Sequence, residues 1–211
     1  MGFFSQITAA ASGLALFACS AVGVRDTEEP KYRVLATQGQ VEIREYGPRI
    51  AAETVVEADE MNARSAGFRR IAGYIFGDNR TRQKIAMTAP VAQDAPGQKI
   101  SMTAPVSQDR TAEGGFRIRF FMPAGYTLDT LPVPDNPLVT LAEVPPQTMA
   151  VLRFAGSTAP ETIAARTQDL LAALQTGAWQ PSAPPVVWFY DPPWTIPALR
   201  RNEVAVQVSP R

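Results

Sequence analysis

The chain has 211 residues, 45% of them hydrophobic, and its 20 basic and 20 acidic side chains cancel to a formal charge of zero. That length suits one domain plus a leader, and the even balance lacks the basic excess of a nucleic-acid binder. There is no histidine and a single cysteine, Cys19, so His- or Cys-based zinc sites, Ser–His and Cys–His nucleophiles and two-His-carboxylate iron sites are excluded.

Residues 7–18 (ITAAASGLALFA) form an apolar run suited to a signal-peptide core, too short and alanine-rich for a membrane span. Leu16, Phe17, Ala18 and Cys19 resemble a bacterial lipobox, whose cysteine becomes the lipidated first residue of the mature protein. Ordinary cleavage after Ala21 is the alternative, because Cys19 and Ala21 satisfy the small-residue pattern. The polar VRDTEEPK that follows reads as a linker. The expectation is a leader with linker over 1–30 and one domain over 31–211. Its expected location is the periplasm, with membrane contact only through a lipidated Cys19.

Residues 41–46 (VEIREY) alternate apolar and polar side chains with the period of a half-buried strand. Gly47-Pro48 breaks the run and 50–56 resume in β-branched residues, which predicts a hairpin. A helix follows, with Asp59 as cap, Phe68, Ile71, Ala72 and Ile75 as one stripe, and Gly77 as stop. KIAMTAPVAQD at 84–94 then recurs as KISMTAPVSQD at 99–109. Pro90 and Pro105 interrupt the copies, which predicts edge segments and a long loop rather than central strands. RIRFFMP at 117–123 reads as a strand.

Roughly 100 residues after the first hairpin the scheme starts again, as in a duplicated fold. Residues 139–144 (VTLAEV) alternate, Pro145-Pro146 turns the chain, and 149–154 (MAVLRF) return. Thr158 and Glu161 form a capping-box pattern with Pro160 in the first turn. Ile163, Thr167, Leu170, Leu171 and Leu174 make a helical stripe closed by Gly177. Strands at 186–190 (VVWFY) and 202–208 (NEVAVQV) complete the second half. The reading is α+β, with about eight antiparallel strands and two helices, the sheet curled to remove exposed edges.

The segments EIREYGPRIAAETV, GFRRIAGYIFGDN, KIAMTAPV, FMP, VLRFAG and YDPPWTIPALRRNEV, in that order, resemble the SOUL haem-binding protein family over nearly all of the mature chain. The resemblance implies a distorted antiparallel β-barrel with two helices, built from two similar hairpin–helix–strand–strand halves. It also implies non-covalent binding of haem or another tetrapyrrole in an apolar cleft between the first helix and the loop before the last strand. At those positions stand Phe68, Ile71, Ala72 and Ile75, with Tyr190, Pro192, Pro193 and Trp194. Some relatives carry a histidine proposed as iron ligand, and here this chain departs from them.

The chemistry of these residues is consistent with that role and with plainer ones. Haem is a flat apolar plate with two carboxylates, so it needs an apolar slot and a cation at its rim. Phe68, Ile71, Ile75 and Trp194 would form the slot, and Arg64, Arg69 or Arg200 would meet propionates. The same stripe would equally pack on the sheet, and 190–194 would equally form a rigid turn. Arg201, Asn202 and Glu203 read as a structural polar network, and Met87 and Met102 as core fillers or ligand-facing residues. Without an imidazole, iron is left with Tyr190, Tyr74, a methionine or no protein ligand. The expected function is an exported haem carrier or buffer that does no chemistry. The alternatives are a GyrI-like hydrolase drawing on Glu42, Glu45, Glu53, Glu143 and Tyr74, or an envelope interaction protein without a small ligand.

Overall fold

Strand alternation and two amphipathic helices build an α+β fold. A computed structural model describes residues 27–81, 97–192 and 194–211; the leader with Cys19, the first Met-Thr-Ala-Pro copy and Pro193 lie outside them. In chain order the elements are β1 (Tyr32–Gln38), β2 (Val41–Tyr46), β3 (Arg49–Val56), α1 (Glu60–Phe76), β4 (Asn79–Arg80), β5 (Val106–Arg110), β6 (Phe116–Phe121) and β7 (Val133–Pro134). Then follow β8 (Thr140–Val144), β9 (Gln147–Phe154), α2 (Pro160–Ala173), β10 (Trp179–Pro181), β11 (Val186–Phe189) and β12 (Asn202–Pro210). Ten strands share one sheet in the order β1-β2-β9-β12-β11-β5-β6-β3-β8, with β10 beside β12. The path is open, ending at β1 and β8, where a barrel of about eight strands was expected.

The strand order repeats, β2-β9-β12-β11 from one side and β8-β3-β6-β5 from the other, but the predicted hairpins are not formed. β2 pairs with β1 and β9, whereas β3 pairs with β6 and β8. β8 and β9 likewise part company across Pro145-Pro146. Two-residue hairpins need positive φ at a central position, and proline holds φ near −65°. Gly47 takes no positive φ either. Each chain segment therefore crosses from one half to the other. The halves are β3-α1-β5-β6 and β9-α2-β11-β12, each completed by the other's first strand, and β5 joins β11 at their junction.

Each half has its own core. Ile71, Tyr74 and Ile75 of α1 pack with Ile118 and Phe120 of β6. Ile163, Leu170 and Leu174 pack with Val41, Ile43, Leu152, Val204 and Val206. Burying each large aliphatic or aromatic side chain is worth about 1.5–3 kcal/mol, so these stripes seat the helices. Asp59 caps α1 as expected, its Oδ1 accepting from the Asn62 amide at 3.1 Å. Gly77 ends α1 at φ 129°, a conformation open to glycine. Gly177 ends the α2 segment differently: its backbone is extended, and a Cβ there would strike the Gln38 side chain. Thr158 is not the α2 cap. The cap is Ala159, with Pro160 as first helical residue, and Ser157 Oγ accepts from the Ala159 amide. Pro105 does not push its segment to an edge either. It ends the coil just before β5, which lies between β11 and β6, so no ladder bond is lost.

Candidate functional site

The sheet face turned from the helices carries buried charge. Glu203 of β12 has no exposed surface, and its carboxylate sits between two guanidinium groups. Arg44 NH1 donates to Oε2 at 2.9 Å, and Arg201 Nε and NH2 donate to Oε1 at 3.0 and 2.9 Å. Glu42 and Glu29 balance the second positive charge, accepting from Arg44 and Arg201. Burial disfavours a charged Arg44, yet the Glu203 carboxylate overrides it and raises the pKa. Arg201 and Glu203 thus form the structural network expected of their motif, whereas the buried Asn202 Nδ2 meets no acceptor among the described residues. A second lattice, Glu53 and Asp109 with Arg117 and Arg119, crosses β3, β5 and β6.

Tyr190 belongs to the first network. Its hydroxyl donates to Glu203 Oε2 at 2.8 Å, and Arg201 stacks over its ring. Burial, then the Glu203 charge, pushes its pKa well up, so a phenolate is disfavoured. The residues after it form a self-closed loop. The Tyr190 amide donates to the Arg201 carbonyl, and the Arg201 amide donates to Asp191 Oδ2 at 2.6 Å. Held at its base in this way, the loop carries Trp194 at 51% exposure.

Helix α1 faces this loop at Arg64. The Arg64 guanidinium lies 4.4 Å over the Phe189 ring, and burial lowers its pKa against the opposing charge of Glu60, with Arg200 adding a smaller push downward. Gln108 Nε2 ties β5 to the Glu60 carbonyl at 2.9 Å, fixing the start of the helix. Phe68, four residues beyond Arg64 and on the same helix face, is 37% exposed and tilts against Phe120 at 5.3 Å.

Residues 27–207 match the family model described as SOUL heme-binding protein. The chain belongs to this family. A curated relative, heme-binding protein 2 of Mus musculus, is 46% identical over 54 residues, covering 25% of this chain and 26% of the relative. That match therefore spans about a quarter of the relative's length. Among solved structures, the EcmrR C-terminal domain superposes with TM-score 0.57 at 10% identity, over 82% of this chain and 98% of that one. A hydrolase from Listeria innocua superposes with TM-score 0.53 at 10% identity, over 83% of this chain and 94% of that one. At such identity they speak for the fold alone.

The cleft residues taken from the SOUL resemblance divide between surface and interior. Phe68 and Trp194 are exposed, and Pro192 is half-buried. Ile71 and Ile75 are fully buried in the α1 core and support the helix from beneath, and Ala72 is nearly buried outside that cluster. Tyr190 is buried in another cluster, with Tyr46 and Trp188. Of the predicted cations, Arg64 stacks on Phe189, Arg200 Nε donates to the Thr195 carbonyl at 2.8 Å, and Arg69 is exposed on α1. Glu203 was read as part of the RRNEV network; its pairing with Arg44, 159 residues earlier, was not legible, since it depends on β2 and β12 flanking β9.

Proposed function

We propose that this SOUL-family protein binds haem or a related tetrapyrrole non-covalently where α1 meets the 190–201 loop, as a carrier or buffer. The observation that carries the reading is Arg64 of α1 seated 4.4 Å over the Phe189 ring at the base of the loop, one turn before exposed Phe68, with exposed Trp194 on the loop itself. A guanidinium at the rim favours a propionate, and aromatic surface beside it suits a flat apolar plate. Bound haem would supply the iron and its colour. The chain has no histidine, and Tyr190 is committed to Glu203, so the plate is held by apolar contact and charge instead of an axial Tyr190. At about 25 cal/mol per Å², a few hundred Å² of covered face contributes several kcal/mol. Association costs consume much of that, which leaves roughly micromolar affinity.

In absorbance titrations, ferric haem and metal-free protoporphyrin are expected to bind with similar affinity. Phe68→Asp or Arg64→Ala should weaken both by about tenfold, the worth of one burial or charge-assisted contact. Binding unchanged in both variants would refute this site, and a bis-nitrogen low-spin spectrum would refute the ligation scheme. The hydrolase alternative has less support. Glu42, Glu45 and Glu53 are each paired with an arginine, and the Tyr74 hydroxyl donates to the Pro132 carbonyl.

The apolar run at 7–18 and Cys19 support export and lipid anchoring at the envelope. The native protein should then begin at a lipidated Cys19, read by intact mass, and Cys19→Ala should release it from membranes. A cytosolic form retaining Met1 would end that reading.

A further inference from the structure

We infer that a second ligand site lies over the two crossing turns, where a cleft takes an apolar monocarboxylate with its charge against Arg49. This site is separate from the proposed haem surface and does not depend on it. The cleft has a volume of about 880 Å³ and opens between Gly47-Pro48 and Pro145-Pro146. Ile50, Phe121, Met122 and Tyr126 supply much of its apolar wall. That volume falls within the roughly 300–1,000 Å³ of small-molecule sites, and most such sites pair apolar walls with one or two fixed polar groups.

Arg49 is the fixed group here. Its guanidinium lies between two rings, 4.6 Å from the centroids of both Tyr46 and Phe121. NH2 donates to Gln147 Oε1 at 2.7 Å, but Nε and NH1 are buried and meet no acceptor among the described residues. Arg44, Arg117, Arg119 and Arg201, on the same sheet face, each meet a carboxylate. Arg49 has none within ion-pair distance among the described residues, and burial pulls its pKa down to about 10. A buried cation without an anion is costly, and a bound carboxylate removes that cost. Glu143, exposed and paired in register with Ile50, stands at the same cleft. Its charge and that of Glu28 outnumber Lys31 on the wall, Glu29 being paired with Arg201, and so oppose a second ligand carboxylate. The ligand class is therefore a single carboxylate on an apolar body.

Isothermal titration of the mature chain with decanoate, and with decanol as neutral control, tests this. Decanoate should bind and decanol should bind markedly less. Arg49→Gln should weaken decanoate about tenfold or more, the usual worth of a charged hydrogen bond, and Arg49→Lys should restore part of it. Glu143→Gln, at an exposed position, should tighten decanoate and decides the matter if Arg49→Gln does not fold. Haem titration should be unchanged in the Glu143 and Arg49 variants. Equal binding of decanol, no response to Glu143→Gln, or displacement of haem by decanoate one for one would each overturn the assignment.

Discussion

Glu203→Ala is expected to lower the unfolding free energy by about 3–5 kcal/mol, the cost of breaking a fully buried ion pair from one side. Glu203 holds Arg44 and Arg201 apart by accepting from both, and also accepts from Tyr190. Without the carboxylate, two buried guanidinium groups face each other across a small void. Arginine does not shed its proton to escape. The remaining carboxylates, Glu42 and Glu29, lie at the outer ends of the network, 40% and 30% exposed at the side chain. Glu203→Gln keeps the shape and one acceptor, so its loss should be smaller. Glu42→Ala removes a half-exposed partner and should cost under about 1 kcal/mol. Urea midpoints at neutral pH give the three values. A Glu203→Ala protein within about 1 kcal/mol of the parent would mean that the network contributes little.

Gly67→Val should be nearly as damaging, at about 1–3 kcal/mol for an overpacked site, plus loss of haem binding. A Cβ at Gly67 would lie 2.4 Å from Ile118 Cγ1 and 2.7 Å from Ile118 Cβ, so α1 would have to lift from β6. Propensity alone predicts the reverse, since glycine inside a helix costs about 1 kcal/mol relative to alanine. Gly67→Ala therefore separates the two effects: destabilisation confirms close approach, whereas a gain in stability would refute it. In the double variant the costs of Gly67→Ala and Ile118→Ala should total less than their sum, because the two share one contact. Lifting α1 also moves Arg64 and Phe68, which ties this packing contact to the proposed ligand surface.

Much of the local structure was legible in the residues themselves. Asp59 and Gly77 bound α1 because cap and stop chemistry acts over only a few neighbours. Alternation located β2 and β8 because a half-buried strand repeats every second residue, while β3 was marked by its β-branched residues and β9 by the turn before it. β1 went unread, since every residue of Tyr32–Ala36 is exposed and an edge strand need not alternate. The stripe of Phe68, Ile71, Ala72 and Ile75 located α1, and its period could not separate the exposed Phe68 from the buried isoleucines.

By itself, the sequence determined the α+β class, the duplicated plan, the SOUL family and the absence of any imidazole for iron. Only the tertiary structure decided that the first strands of the halves are exchanged and that Tyr190 is bound to Glu203. It alone decided, too, that two guanidinium nitrogens of Arg49 are buried without an acceptor among the described residues. Caps, turns and alternation act within a few residues of chain, whereas strand partners and the groups facing a buried charge are set by contacts 100 residues and more apart, such as Arg44 with Glu203, separated by 159.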